Sequence, residues 1–260
     1  MGTVICVSNQ KGGVGKTTTV NALTMGLSAR GLRVLSVDFD PQGNLSFSLG
    51  AVCRNESLCT VYHVIKKEIR LSDAIQHGKG FDVLPANLLL SALDMEFTGA
   101  GREFLLKNVL ASVQEAYDVI LIDTPPDLGL LTINAFTASD YIIIPVLCDM
   151  YSLQGLIQIN NTLRQVRLRS NPSIQVAGVL LNRFNSRETV SRVIHETAGN
   201  IAHSLGMPLF DTIIHSGAAL TRAQIQQKSL LSFITKSRAV SDYQKLEEEL
   251  FGKGILHNNV

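Results

Sequence analysis

Residues 4–19 read VICVSNQKGGVGKTTT and combine three local patterns. The apolar, β-branched run at residues 4–7 is typical of a buried strand. Three glycines follow within four residues, at Gly12, Gly13 and Gly15, and residues 20–30 are compatible with a helix. In this order of strand, glycine-rich loop and helix, backbone N–H groups and the positive end of the helix dipole can hold phosphate groups. The segment therefore predicts a phosphate-binding loop.

The side chains of this loop suit a nucleoside triphosphate with Mg²⁺. In the pattern G-x-x-x-x-G-K-[ST], Lys16 reaches the β- and γ-phosphates and the Thr17 hydroxyl ligates Mg²⁺. The pattern is broken at its first position, where Gln10 replaces glycine and an additional lysine, Lys11, follows. The predicted nucleotide contacts are Gly12, Gly13, Val14, Gly15, Lys16, Thr17 and Thr18.

Two further segments end an apolar strand in carboxylates. Residues 32–37 lead into Asp38-Phe39-Asp40-Pro41-Gln42-Gly43-Asn44, and residues 118–122 lead into Asp123-Thr124-Pro125-Pro126. Carboxylates at the carboxyl ends of parallel strands face the crevice where ligands bind in open α/β sheets. Asp123 fits a Walker B carboxylate that holds Mg²⁺ directly or through water. An Asp-Pro turn with a solvated acid is the alternative interpretation of the first segment.

Strand-like and helix-like segments alternate through the rest of the chain. This alternation predicts an α/β fold, a doubly wound, mostly parallel sheet with helices on both faces. With no linker, repeat or low-complexity tract, residues 1–260 are expected to form a single domain without an N-terminal DNA-binding domain. The further expected strands are 81–84, 141–146, 175–181 and 209–214, and the expected helices are 61–67, 88–97, 102–116, 153–168, 189–205 and 240–251.

Composition narrows the class of protein. Hydrophobic residues make up 45% and charged residues 17% of the chain, which fits a soluble protein with a large core, and no apolar run approaches the length of a membrane span. Cys6, Cys53, Cys59 and Cys148 form no C-x-x-C pair, which disfavours a metal-cluster protein. A reducing cytoplasm is the expected compartment.

Charge is unevenly distributed along the chain. The net charge is only +1, yet residues 160–240 carry ten lysines and arginines against three acids. A basic face of this kind is typical of contact with nucleic acid. Arg164, Arg167 and Arg169 close an expected helix, where they could equally complement its dipole.

Together, K-G-G-V-G-K-T-T after Asn9-Gln10, D-x-D-P-Q-G-N and D-T-P-P resemble the ParA/MinD family of deviant P-loop ATPases, and the ParA (Soj) branch in particular. The resemblance implies that Asp40 positions the attacking water and that Asp38 supports the Mg²⁺ shell formed with Thr17 and Asp123. It also implies that Lys11 reaches into the nucleotide site of a second, facing subunit. Lys11 could instead be an ordinary solvated lysine.

Resemblance is looser in the second half of the chain. Asn182 stands at a strand end where related ATPases place an adenine-recognising residue, although asparagine there is also a common turn former. His215 lies in the loop that closes over the base in the family, where Pro or Arg is usual. Asp149 stands where the family usually has Glu, and this difference argues against a cross-subunit ribose contact by that acid.

The function implied by the resemblance is partitioning of plasmid or chromosomal DNA by a cytoplasmic, nucleoid-associated ATPase that uses ATP and Mg²⁺. An ATP-bound homodimer would bind non-specific DNA, with Arg187, Arg192 and Arg222 as candidate contacts, and a ParB-type centromere-binding protein would stimulate hydrolysis. A MinD-like ATPase at a membrane is the alternative, but residues 240–260 are acidic, whereas MinD carries a basic amphipathic helix there. A protein cargo positioned on the nucleoid is a further possibility.

Overall fold

The computed structural model describes residues 2–51, 59–185, 189–217 and 237–257, and for 150–154 and 189–192 it describes the backbone alone. The strands described are β1 (Thr3–Val7), β2 (Val34–Asp38), β3 (Gln76–His77), β4 (Asp82–Leu84), β5 (Val119–Asp123), β6 (Tyr141–Leu147), β7 (Gln175–Phe184) and β8 (Leu209–His215). The α-helices described are α1 (Lys16–Ala29), α2 (Asn44–Ser48), α3 (Val61–Ile65), α4 (Leu71–Ala74), α5 (Leu93–Glu96), α6 (Leu105–Leu110), α7 (Leu130–Ala138), α8 (Met150–Arg169), α9 (Thr189–Ser204) and α10 (Arg238–Gly252).

The strands form one sheet in the order β3-β4-β2-β5-β1-β6-β7-β8. Neighbouring strands are parallel except β3 and β4. The register pairs Val7 with Asp123 and Asp38 with Asp123, so β1, β2 and β5 end at the same level. The loops that follow these three strands therefore meet at one edge of the sheet, where ligands bind in open α/β folds.

Each face of the sheet is covered by its own hydrophobic core. Along β1, Val4 and Cys6 enter one core while Ile5 and Val7 enter the other, as the alternation of side chains in a strand requires. The first core contains residues of α3 through α9, and the second contains residues of α1, α2 and α10. The predicted fold class, a doubly wound and mostly parallel sheet with helices on both faces, is confirmed.

The region between β2 and β5 differs from the sequence prediction. Continuous helices over 88–97 and 102–116 are wrong: 3-10 segments at Leu88–Ala92 and Arg102–Phe104 precede short helices, and α6 ends at Leu110. The short strand β3 was not predicted, because its two residues are held by antiparallel pairing with β4 and carry no alternating pattern of their own. No helix in the described ranges is both long and apolar enough to cross a lipid bilayer.

Helices α1 and α10 approach closely through a glycine. A Cβ at Gly26 would overlap the Glu247 carboxylate, so glycine is what admits that side chain between the helices. Glu247 accepts a hydrogen bond of 2.8 Å from Arg30 Nε, and its side chain is only 3% exposed. Burial raises the pKa of Glu247 to about 6, and the Arg30 guanidinium only partly opposes this rise.

This buried carboxyl should make stability depend on pH. Since its pKa is higher in the folded than in the unfolded chain, the folded state binds the proton more tightly, and stability falls as pH rises from 4.5 to 6. Glu247→Gln should remove about 1–2 kcal/mol of that decline. Urea unfolding at pH 4.5, 5.5 and 6.5 measures it. Glu248→Gln, at an exposed neighbour, is the matched control, and an unchanged pH slope in Glu247→Gln would contradict the assignment.

Candidate functional site

The glycine-rich loop joins β1 to α1 at the carboxyl edge of the sheet. Gly13 has φ +74° and Gly15 φ +98°, a left-handed conformation that favours glycine. A Cβ added at Gly12 or Gly13 would meet no described atom within 4 Å, so this part of the loop is not packed against other described groups. Because α1 begins at Lys16, directly after Gly15, the N–H groups of its first turn lie at the end of the helix that adjoins the loop. The loop thus has the form of a phosphate cradle.

Lys16 projects into the cradle from the first turn of α1. Its side chain is mostly buried, and its Nζ donates a 3.2 Å hydrogen bond to the carbonyl oxygen of Lys11. Burial lowers the pKa of Lys16, while the carboxylates of Asp123, Asp40 and Asp127 oppose that change. A cation surrounded by carboxylates with one backbone acceptor is placed to hold a phosphate group.

The residues predicted for Mg²⁺ converge beside this lysine. Thr17 Oγ1 donates a 2.6 Å hydrogen bond to Asp123 Oδ2, whereas Asp123 Oδ1 is buried with no hydrogen-bond partner among the described residues. Burial, together with the neighbouring Asp38 carboxylate, raises the pKa of Asp123 well above its ordinary value. A hydroxyl and a carboxylate oxygen left unsatisfied fit Mg²⁺, which takes few protein oxygens and completes its shell with phosphate and water.

Asp38 and Asp40 lie at the end of β2 and have different surroundings. Asp38 is fully buried and accepts hydrogen bonds from the Ser46 N–H (2.7 Å) and Ser46 Oγ (2.6 Å). Burial raises the pKa of Asp38 to about 6, although these hydrogen bonds favour the carboxylate. Asp40 accepts a 3.0 Å hydrogen bond from the Gln42 N–H, and this bond holds the Asp40 carboxyl within the turn that follows β2. Asp38 therefore supports the loop, and Asp40 lies nearer the cradle's Lys16 charge.

Ser46 was not predicted from sequence, yet it joins two segments of the site. Besides its bonds to Asp38, its Oγ accepts a 3.1 Å hydrogen bond from the Ala86 N–H after β4. A single serine, here in the short helix α2, carries no sequence signal that distinguishes such a link, since its partner lies 40 residues away in the chain.

Lys11 forms an ion pair within its own chain. Its Nζ lies 2.7 Å from Asp149 Oδ2, and the two side chains are 35% and 33% exposed. The Lys11 N–H donates to Asn9 Oδ1 at 2.9 Å, and Asn9 Nδ2 donates to the Pro145 carbonyl at 2.7 Å. The trans role expected of Lys11 stays a prediction, and the contact with Asp149 is one that the sequence did not indicate.

Asn182 packs directly against the phosphate loop. Its Nδ2 donates a 2.8 Å hydrogen bond to the Val14 carbonyl, and its Oδ1 accepts one of 2.8 Å from the Arg183 N–H. A Cβ at Gly15 would overlap the Asn182 amide, so the glycine and the asparagine are mutually fitted. The expected contact of Asn182 with adenine stays a prediction, and the structure shows a bracing contact with the loop.

His215 is fixed at the end of β8 by the C-terminal helix. Asp242 Oδ2 accepts a hydrogen bond of 2.9 Å from the backbone N–H of His215, and it lies 2.8 Å from Nδ1 of the His215 ring. The His215 ring meets Phe184 edge-on, with centroids 5.6 Å apart. Because Ser216 Oγ also donates to the Arg183 carbonyl at 3.0 Å, the end of β7 and the start of the loop after β8 form one wall. Closure of this wall over a base stays a prediction.

Helix α10 also contacts the first turn of α1, which follows the phosphate loop. Tyr243 Oη lies 3.2 Å from Thr19 Oγ1 on α1, and burial raises the pKa of Tyr243 to about 12. Asp242 and Tyr243, adjacent in sequence, thus contact two different elements near the candidate nucleotide site, the end of β8 and helix α1. No sequence motif marked either residue, because their roles depend on the packing of α10 against the sheet.

The predicted DNA contacts fall mostly beyond what the structure describes. Arg187 and Arg222 lie outside the described residues, and Arg192 lies on α9 where the backbone alone is described. Arg167 Nε donates to the Ile174 carbonyl at 3.0 Å, so this arginine of α8 closes the turn before β7. The three candidate arginines remain sequence predictions.

The chain is similar to known proteins over nearly its whole length. The AAA domain family matches residues 2–176. The chain is 38% identical over 258 residues to the sporulation initiation inhibitor protein Soj of Bacillus subtilis, covering 98% of this chain and 100% of that protein. It is 35% identical over 255 residues to the chromosome partitioning protein ParA of Caulobacter vibrioides, covering 96% of this chain and 94% of that protein.

A similar solved structure is cobyrinic acid a,c-diamide synthase from Mycobacterium smegmatis with bound ADP and magnesium. It has a TM-score of 0.83 and 33% identity, covering 98% of this chain and 97% of that chain. Both the sequence relatives and this structure extend over nearly the whole length of the chain. The chain therefore belongs to the ParA/Soj family of P-loop ATPases.

Proposed function

We propose that this protein is a Mg²⁺-dependent ATPase that partitions plasmid or chromosomal DNA, with residues 1–260 acting as one domain. The observation that carries the proposal is the convergence of Lys16, Thr17, Asp38, Asp40 and Asp123 around an open glycine-rich loop. Similarity to Soj and ParA over nearly the full chain supports the partitioning role.

The site residues divide the work of hydrolysis among themselves. Amides of Gly12 through Thr18 and the Lys16 ammonium hold the phosphates of ATP, and Thr17 and Asp123 hold Mg²⁺, with Asp38 supporting them. When bound, Mg²⁺ neutralises charge on the phosphates. Asp40 orients the water that attacks the γ-phosphorus, and the bond to the ADP oxygen breaks, giving ADP and phosphate. Asn182 and His215 flank the adenine.

A second copy of the chain completes the site in this proposal. Two ATP-bound subunits face each other in a sandwich dimer, and Lys11 of each supplies a cation to the other's phosphates, as an arginine finger does in trans. Lys11 is placed for this role because it lies in the phosphate loop with a side chain about one-third exposed.

The ATP-bound dimer binds DNA without sequence preference through the basic second half of the chain. Residues 160–240 carry ten lysines and arginines but only three acids, and this positive charge supports DNA binding. The proposed contacts are Arg187, Arg192 and Arg222. A ParB-type centromere-binding protein stimulates hydrolysis and releases the dimer from nucleoid DNA in the cytoplasm. A membrane partner is disfavoured because α10 buries its apolar residues Tyr243, Leu246 and Leu250 in the core.

The test is binding of the full chain to non-specific duplex DNA with ATP, with ADP and without nucleotide, across a salt series. We expect binding that requires ATP and falls steeply as salt rises, because phosphate contacts release counterions. Lys11→Ala should abolish the ATP-dependent binding, and Arg192→Ala should weaken it and reduce the salt slope by about one.

Lys79→Ala is the matched control, since Lys79 is exposed near the opposite edge of the sheet and should leave binding unchanged. If ATP is hydrolysed but DNA is bound in no nucleotide state, the partitioning proposal is wrong. A MinD-like or other positioning ATPase acting on a membrane or a protein cargo would then be favoured, and binding to anionic vesicles would distinguish those two.

A further inference from the structure

The ion pair between Lys11 and Asp149 joins the phosphate loop to the end of β6 within one chain. We propose that Asp149 is a positioning residue for Lys11: it holds the ammonium in its own subunit, as a latch that must open before Lys11 can serve a facing nucleotide site. This inference rests on the sandwich dimer proposed above, and it adds a restraint on how that dimer forms.

Both ends of the latch are fixed by β6. The Lys11 N–H is held by Asn9, which is fully buried and donates in turn to the Pro145 carbonyl of β6. The Asp149 N–H donates to the Leu147 carbonyl, at the end of the same strand, at 2.8 Å. Since both backbones are anchored to one rigid element, closing the ion pair restricts only the two side chains.

Opening the latch does not disturb the phosphate cradle. Lys16 Nζ binds the Lys11 carbonyl oxygen and not its side chain, so the Lys11 main chain can stay in place while its ammonium swings away. Side chains of this exposure change rotamer far faster than proteins associate. An ammonium that leaves Asp149 for a partner's triphosphate gives up this ion pair, so the latch is a thermodynamic restraint on dimerisation.

The strength of the restraint follows from the exposure of the pair. An ion pair whose side chains are about one-third exposed favours the closed state over the open state roughly threefold. A symmetric dimer opens two latches, so removing both should tighten the dimer dissociation constant by about tenfold.

The first measurement is sedimentation velocity of the full chain with Mg²⁺ and a non-hydrolysable ATP analogue. Asp149→Asn should lower the dimer dissociation constant about tenfold, and Asp149→Glu, which keeps the charge, should stay within about twofold of the wild type. Lys11→Ala should lose the dimer, and Asp149→Asn in that background should restore nothing. Weaker or unchanged dimerisation of Asp149→Asn would overturn the latch.

The second measurement does not need a dimer. In the nucleotide-free protein, the rate at which an amine-reactive acylating reagent modifies Lys11, read by mass spectrometry relative to Lys79, should rise about threefold in Asp149→Asn. An unchanged rate would overturn the latch even if the dimer forms. If the rate rises but the wild type never dimerises with nucleotide, the sandwich dimer is wrong, and the contact, though real, restrains nothing.

Discussion

Asp123→Asn is expected to lower Mg²⁺-dependent ATP turnover by about 100-fold or more while raising the thermal stability of the nucleotide-free protein. Activity falls because the buried Oδ1, which has no hydrogen-bond partner among the described residues, is the oxygen placed to ligate the metal. Stability rises because burial and the Asp38 carboxylate disfavour the ionised Asp123. The asparagine can still accept the Thr17 hydrogen bond. Its NH₂ group takes the place of a carboxylate oxygen that the Asp38 carboxylate repels.

Thermal unfolding with and without Mg²⁺ and ATP, beside steady-state hydrolysis, tests both parts of this prediction. Without Mg²⁺ and ATP, the variant should have the higher unfolding temperature. With both ligands, the unfolding temperature of the wild type should rise more than that of the variant, so that the wild type becomes the more stable protein. Asp94→Asn is the control, because this exposed carboxylate forms a surface ion pair with Arg102 away from the phosphate loop. A variant that loses activity and is also less stable without ligand would show that Asp123 is a structural residue.

Gly15→Ala should destabilise the protein by about 2–4 kcal/mol and weaken ATP binding on the order of 100-fold. Two costs combine at this position: φ is +98°, and the new Cβ would overlap the amide of Asn182. Relief of either would shift the loop, and a small displacement of amides that contact phosphate is costly. Chemical denaturation and nucleotide titration measure the two effects.

Gly31→Ala separates the backbone cost from the overlap. Gly31 has φ +88°, and a Cβ there would meet no described atom within 4 Å, so its substitution should cost only about 1–2 kcal/mol and leave ATP binding intact. Adding Asn182→Ala to Gly15→Ala should recover part of the lost stability, as a coupling energy beyond the two single effects. Equal losses of stability for Gly15→Ala and Gly31→Ala, with no coupling energy, would show that the Asn182 side chain moves away from the new Cβ without an energetic penalty.

The parts of the site that short local patterns encode could be predicted from the sequence. The phosphate loop, the carboxylates at the ends of β2 and β5 and the parallel sheet follow from short patterns, because strand, turn and helix signals act over a few residues. The register that pairs Asp38 with Asp123 brings these separate motifs together, as expected for parallel strands that end at one edge.

What sequence could not supply is the set of partners from distant elements. Ser46 with Ala86, Lys11 with Asp149, and the hold of α10 on His215 and Thr19 all join residues far apart in the chain. The continuous helices predicted over 88–97 and 102–116 were likewise wrong, since packing against the sheet sets where the short helices there begin and end. The sequence by itself determined the phosphate chemistry and the fold class through local patterns. Only the tertiary structure decided which side chains brace that site, because those contacts depend on strand order and helix packing.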